Sequence, residues 1–161
     1  MPHSAVATLS AFSSPPNGLN HELPTINHKR CGAPRHTHKM PGMAKAKIYL
    51  YRNCGTCRKA LKWLAEHDVE FTEIAVREQP PSAVEIKRVI KALGGEVRKV
   101  FNTSSKDYRD GGFKERLGDM GIDEVVAALQ ANGNLVKRPF VVTGSSGLVG
   151  FRPDEWDAFF A

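Results

Sequence analysis

The chain is short of cysteine, of long apolar runs and, over its first quarter, of acidic residues. Three cysteines among 161 residues cannot build the framework of a small secreted disulfide protein. Nothing approaches the roughly 18 consecutive apolar residues of a membrane-crossing helix. The N-terminus also lacks the charged start, apolar stretch and cleavage site of a secretory signal. These shortages place the expected protein in the cytoplasm, away from membranes. Acid is missing where base is not: residues 1–42 hold Glu22 alone against Lys29, Arg30, Arg35 and Lys39. That stretch therefore carries half of the net charge of +6. The remainder is too small to argue for direct nucleic-acid binding, and an anionic small substrate accounts for it as well.

Residues 1–42 also differ in composition. They contain six prolines, five histidines and no sustained apolar period, which is the composition of a disordered extension. Cys31, His36 and His38 could meet a metal ion, but no ordered scaffold is evident there, and a flexible His-rich tail accounts for them better. Met43 stands just before Ala44-Lys45-Ala46-Lys47 and the first strand pattern. It is the expected natural start, with 1–42 an artefact of start assignment or a dispensable extension, and 43–161 the folded domain.

What is present in that domain is a motif in a telling place. Cys54-Gly55-Thr56-Cys57 follows the β-prone run Lys47-Ile48-Tyr49-Leu50-Tyr51 and precedes a helical pattern with Ala60, Leu61, Leu64 and Ala65 on one face. A helix N-terminus presents unpaired N–H groups and the positive end of the macrodipole, and both stabilise a thiolate. Cys54 is therefore the expected low-pKa nucleophile, helped by Arg52, Arg58 and Lys59 if they lie close. A structural zinc site competes for the same motif. It usually needs four ligands, and one C-x-x-C supplies two. Inert buried thiols fit poorly with the Arg/Asn/Gly/Thr setting. Redox or nucleophilic chemistry is the better reading, with no metal.

The remaining pattern supplies the fold. Residues 46–51 predict a strand, 56–67 a helix and 70–76 a second strand, so the first two strands are parallel with a right-handed crossover. Ser82 with Glu85 three residues later marks a capping box. The helix behind it carries Val84, Ile86, Val89, Ile90 and Leu93 and stops at Gly94-Gly95. Residues 97–101, 113–117 and 122–131 read as further helical pieces, the last closed by Gly133. Phe140–Thr143 and Leu148–Phe151 form a hairpin around Gly144-Ser145-Ser146-Gly147. Pro153 opens a final helix whose Trp156, Phe159 and Phe160 face the core. The order β-α-β, helical block, β-β-α is α/β and thioredoxin-like: a small mixed sheet flanked by helices, with a helical insertion.

Three segments resemble one family. Cys54-Gly55-Thr56-Cys57-Arg58-Lys59, Lys137-Arg138-Pro139-Phe140-Val141-Val142 and Gly150-Phe151-Arg152-Pro153 are similar to the ArsC/Spx family, which holds glutaredoxin-coupled arsenate reductases and Spx-type transcriptional regulators. The resemblance spans about residues 46–160. It implies that Cys54 attacks arsenate or a related oxyanion, that Arg138 and Arg152 bind the anion, and that Arg138-Pro139 is a cis peptide beside the site. Guanidinium forks suit a tetrahedral oxyanion. Two departures stand out. Asn102 occupies the place of a third anion-binding arginine, and Cys57 stands where the best-known reductases have serine. Cys57 permits a Cys54–Cys57 disulfide, so thioredoxin joins glutathione and glutaredoxin as an expected reductant, with no bound cofactor. The alternative implied by the same family is an Spx-type redox switch that binds RNA polymerase.

Overall fold

The computed structural model describes residues 45–161; the expectations for 1–42, for Met43 and for Cys31, His36 and His38 lie outside the described residues. Strand β1 (Ala46–Leu50) leads into helix α1 (Gly55–Glu66) and strand β2 (Phe71–Ala75). Helices α2 (Ala83–Ala92), α3 (Lys106–Asp110), α4 (Phe113–Arg116) and α5 (Ile122–Ala131) follow, with 3-10 turns at Val97–Val100 and Gly133–Leu135. Strands β3 (Phe140–Val142) and β4 (Gly147–Val149) and helix α6 (Pro153–Phe160) complete the domain. The sheet order is β2-β1-β3-β4. β1 pairs parallel with β2 and antiparallel with β3, and β3 pairs antiparallel with β4. The domain is α/β with a mixed four-stranded sheet, and the helical block sits between β2 and β3 as the sequence pattern predicts. Among the described residues no helix is long and apolar enough to cross a membrane.

Alternation along the central strands divides the core in two. Ile48, Leu50 and Val141 point to one face, where they meet Cys57, Ala60, Trp63 and Leu64 of α1 and Trp156 of α6. Tyr49, Phe140 and Val142 point to the other, against Ile86, Val89 and Ile90 of α2 and Val125 and Leu129 of α5. Burial on both faces explains why β1 reads as a nearly continuous apolar run. Trp63 and Trp156 meet edge to face, centroids 5.4 Å apart at 82°, a pairing worth about 1 kcal/mol beyond burial. It ties α6 to the helix that carries the cysteines.

Some expectations shift. Val84 is 66% exposed because, two residues before buried Ile86, it lies on the far side of α2. Phe159 and Phe160 are only half-buried, so Trp156 anchors α6. Helix α3 has no counterpart in the sequence reading: five residues are too few for a period. It is set by Ser105, whose hydroxyl accepts the Tyr108 N–H at 3.1 Å, and by Tyr108 packing on Phe101 and Phe113. Gly133 does more than follow α5. A Cβ there would sit 1.9 Å from the Val76 carbonyl oxygen, so the chain crosses β2's end only because the residue has no side chain.

The capping box of α2 is also a tertiary anchor. Glu85 receives the Ser82 N–H at 2.9 Å, the Tyr49 hydroxyl at 2.8 Å and the Lys47 ammonium at 2.9 Å. The carboxylate is 7% exposed. Burial disfavours its charge, but Lys47, Ser82 and Tyr49 together outweigh this and hold its pKa down to about 2. The Tyr49 hydroxyl moves the opposite way, above its ordinary range, through burial and then its bond to Glu85. A carboxylate lowered on folding stabilises above its ordinary pKa and loses that contribution as pH falls toward the folded value. Glu85→Gln is expected to lower unfolding stability by about 2 kcal/mol at pH 7. In urea denaturation across pH, its gap to the wild type should narrow below pH about 4.5 and toward about 2.

Candidate functional site

The site begins where β1 hands over to α1. The Cys54 N–H donates to the Tyr51 carbonyl at 2.9 Å, and the Arg58 N–H takes the Cys54 carbonyl at 3.0 Å as the helix starts. Cys54 has extended geometry, φ −87° and ψ 124°, and is the N-cap of α1. Its sulfur stands where a serine or aspartate oxygen would cap the helix. The thiol makes no capping hydrogen bond, so the N–H groups of Thr56 and Cys57 are left to favour an anion. The first turn of α1 contains no acid. Burial works against a Cys54 thiolate. The backbone N–H of Cys57, the Cys57 thiol, the Thr56 N–H and the charge of Arg138 outweigh it and lower the pKa.

Cys57, one turn on, is fully buried. Its thiol is pushed up to about 12, first by burial and then by the neighbouring Cys54 charge, with the Tyr51 backbone and Arg138 opposing. The two thiols thus divide into an ionisable outer sulfur and a protonated inner one.

Arg138 stands just before β3, at the same end of the sheet as Cys54, because β1 and β3 run antiparallel. The Arg138-Pro139 peptide is cis. On its flanks, the Lys137 N–H donates to the Val100 carbonyl and the Gly150 N–H to the Pro139 carbonyl, both at 2.8 Å. The guanidinium carbon lies 5.4 Å from the Tyr51 ring centroid, and that of Arg77 lies 3.8 Å from the same ring. Tyr51 therefore acts as a positioning residue: its carbonyl orients Cys54 and its ring steadies Arg138. The Arg138 Nη1 is buried and has no hydrogen-bond partner.

Cys54, Thr56, Lys137 and Arg138 share a cleft of about 280 Å³. Its far wall is Asn102, Ser104 and Ser105. Among the described residues no carboxylate lines it. The Phe101–Val136 bridge brings these two loops together. The structure brings Cys54, Cys57 and Arg138 near one another, with Pro139 buried next to Arg138 in the chain. Arg152 is not brought in. It is the N-cap of α6, and its Nη1 pairs with Glu155 at 2.6 Å, its side chain largely exposed. Sequence reasoning missed Lys137, Tyr51, Thr56, Ser104 and Ser105. Lys137 could have been found from its place beside Arg138 in the quoted motif, and the serine loop from the resemblance, which sets Asn102 at an anion-binding place; no local pattern shows the long-range pairing that delivers it.

The ArsC family model matches residues 49–159. The chain belongs to the ArsC family. An uncharacterized protein of Bacillus subtilis, YusI, is 44% identical over 71% of this chain and 97% of its own length. The global transcriptional regulator Spx of Listeria innocua is 28% identical over 67% of this chain and 81% of its own. Among solved structures, an ArsC family related protein of Bacteroides fragilis superposes with a TM-score of 0.66 at 41% identity, covering 71% of this chain and 97% of that one. A protein of Streptococcus mutans described as a "possible arsenate reductase" gives 0.65 at 32%, covering 71% and 98%. The proteins this chain is similar to thus include both an enzyme-named and a regulator-named one.

Iodoacetamide labelling followed by peptide mass spectrometry across pH checks the division of the thiols. Cys54 should alkylate first, at lower pH than a free thiol, while Cys57 should need strongly alkaline solution. Arg138→Gln should move the Cys54 profile to higher pH, since removing a nearby cation disfavours the thiolate.

Proposed function

We propose that the protein is a thiol oxidoreductase of the arsenate reductase type, acting on arsenate or a related oxyanion. One observation carries the reading: the ionisable Cys54 sulfur and Arg138, whose Nη1 has no partner, share a cleft that no carboxylate lines among the described residues. In the proposed reaction the Cys54 thiolate attacks arsenic, an S–As bond forms, and one arsenate oxygen leaves as hydroxide and is protonated to water. A second thiol then attacks the Cys54 sulfur. The S–As bond breaks, its electron pair stays on arsenic, and arsenite departs as a disulfide forms. Cys57 would take that second step, with glutathione as the intermolecular counterpart. Once Cys54 is esterified its negative charge is gone, so one of the effects that holds the Cys57 proton is removed while Arg138 remains. Thioredoxin, or glutaredoxin with glutathione, would return the disulfide to two thiols. The solved structure from Streptococcus mutans supports this reading.

A second reading is favoured by the Spx relatives: the Cys54/Cys57 couple as a redox switch on a protein that binds RNA polymerase. Arsenate turnover separates the two. With thioredoxin or with glutaredoxin and glutathione, purified protein should release arsenite, and Cys54→Ser should reduce the rate to background. Cys57→Ser should lose thioredoxin-coupled turnover and keep the glutathione-coupled route. No turnover with either system, together with RNA polymerase binding that depends on the oxidation state of the pair, would favour the switch.

A further inference from the structure

We infer that Asp107 is a positioning residue for the cleft: it ties the serine loop to the segment that delivers Lys137 and Arg138, and so sets the gap an oxyanion would occupy. The inference rests on the oxyanion reading of the cleft and deepens it with a residue outside the lining.

Two walls of the cleft come from segments far apart in the chain. One is the 102–105 loop; the other, Lys137-Arg138, follows the 3-10 turn at Gly133–Leu135. Hydrogen bonds join them where the loop begins. The Lys137 N–H donates to the Val100 carbonyl at 2.8 Å and the Asn102 N–H to the Leu135 carbonyl at 2.7 Å. The Asn102 side-chain amide adds a bond to the Asn134 carbonyl at 3.3 Å. Beyond Asn102 the loop closes on itself: the Ser105 N–H and hydroxyl both donate to the Asn102 carbonyl at 2.9 Å. Those two bonds are internal and do not hold Ser104 and Ser105 against the other segment.

Asp107 supplies a tie at the far end of the loop. Its Oδ2 accepts the Asn132 side-chain amide at 2.7 Å and the Asn134 side-chain amide at 3.0 Å. The two donors are fixed in their turn. The Asn134 N–H donates to the Asn132 Oδ1 at 2.9 Å, and Gly133 between them packs on the Val76 carbonyl too closely for a side chain. The Asn134 amide oxygen is buried without a donor, so this side chain is held through its nitrogen, by Asp107. Both bonds lower the Asp107 pKa, Asn132 the more, so the acceptor is an ionised carboxylate at neutral pH and the bonds are of the stronger, charge-assisted kind. Ser105 is the N-cap of α3 and accepts the Tyr108 N–H at 3.1 Å. A displacement of α3 would therefore carry this wall of the cleft with it.

Clamp and charge act in opposite directions here. Asp107 is an acid two residues from a wall of a cleft that holds Lys137 and Arg138. By electrostatics alone its removal should tighten the binding of an anion. Loss of the clamp should loosen it, because the hydroxyl wall is no longer held at its distance from the cations.

The test is protection of Cys54 in the full chain from iodoacetamide by sodium sulfate, at low ionic strength, with sodium chloride of equal ionic strength as the control. Arsenate turnover is measured on the same samples. Asp107→Ala should raise the sulfate concentration for half-protection about fivefold. It should raise the KM for arsenate by a similar factor and change kcat less than about twofold. The pH profile of Cys54 alkylation without sulfate should not move, since α1 and Arg138 set it. Asp107→Asn keeps an acceptor oxygen and should stay within about twofold of the wild type. Asn134→Ala leaves every charge in place and carries the same test should Asp107→Ala fail to fold: it should weaken protection about threefold, and add little on top of Asp107→Ala. The assignment is overturned if the folded variants protect Cys54 as well as the wild type or better, or if the effect appears as a shifted alkylation profile instead. If sulfate protects the wild type no better than chloride, the oxyanion reading falls and the assignment with it. Sulfate protection that depends on Asp107 in a protein with no arsenate turnover would uphold the clamp and defeat the reductase reading alone.

Discussion

The unpaired N–H groups at the start of α1 set the terms for everything around them. A helix that begins at the end of a buried strand must satisfy those donors with a side chain, water or an anion. Here the capping position is a cysteine, whose neutral thiol is a poor acceptor and whose thiolate is a good one. Ionisation of Cys54 or a bound anion would therefore satisfy these donors better than the neutral thiol does. The absence of acid from the first turn of α1 and from the cleft, and the arrival of Arg138, all favour the same charge.

The two core layers serve this junction differently. The layer of Trp63, Trp156 and Leu64 holds α1 rigidly against β1, and it buries Cys57 completely. The layer under the helical block supplies the far wall, since the Phe101–Val136 bridge seats the 102–105 loop opposite Lys137 and Arg138. Glu85 links that block to β1 through Lys47 and Tyr49, two residues before Tyr51 takes over the positioning of Cys54 and Arg138. The Cys54–Cys57 pair thus sits on a scaffold in which one face grips its helix and the other shapes the cleft.

How much of this could be read from the sequence follows the range of each interaction. The β-α-β unit, the Ser82–Glu85 box and the cysteines at a helix start are encoded within a turn or two of chain, and all three appear where the pattern places them. The Arg152–Glu155 pair is equally local and was within reach of the i, i+3 rule. The recruitment of Glu85 by β1 and the delivery of Ser104 and Ser105 to the cleft are long-range. They depend on sheet register and on a single bridge, for which no local pattern exists. The family resemblance named Arg138, its cis proline and Arg152; the Arg138-Pro139 peptide is cis and Arg138 lines the cleft, while the exposed Arg152 side chain pairs with Glu155.

The central claim is that one Cys54–Cys57 pair can deliver two electrons to an oxyanion without outside help. A single-turnover experiment on the fully reduced chain, with arsenate and no added reductant, measures this directly. The account predicts one arsenite per chain at most, with loss of two hydrogens that peptide mapping assigns to a Cys54–Cys57 disulfide. Unchanged mass and no arsenite, from protein whose thiols are shown to be reduced and accessible, would contradict it.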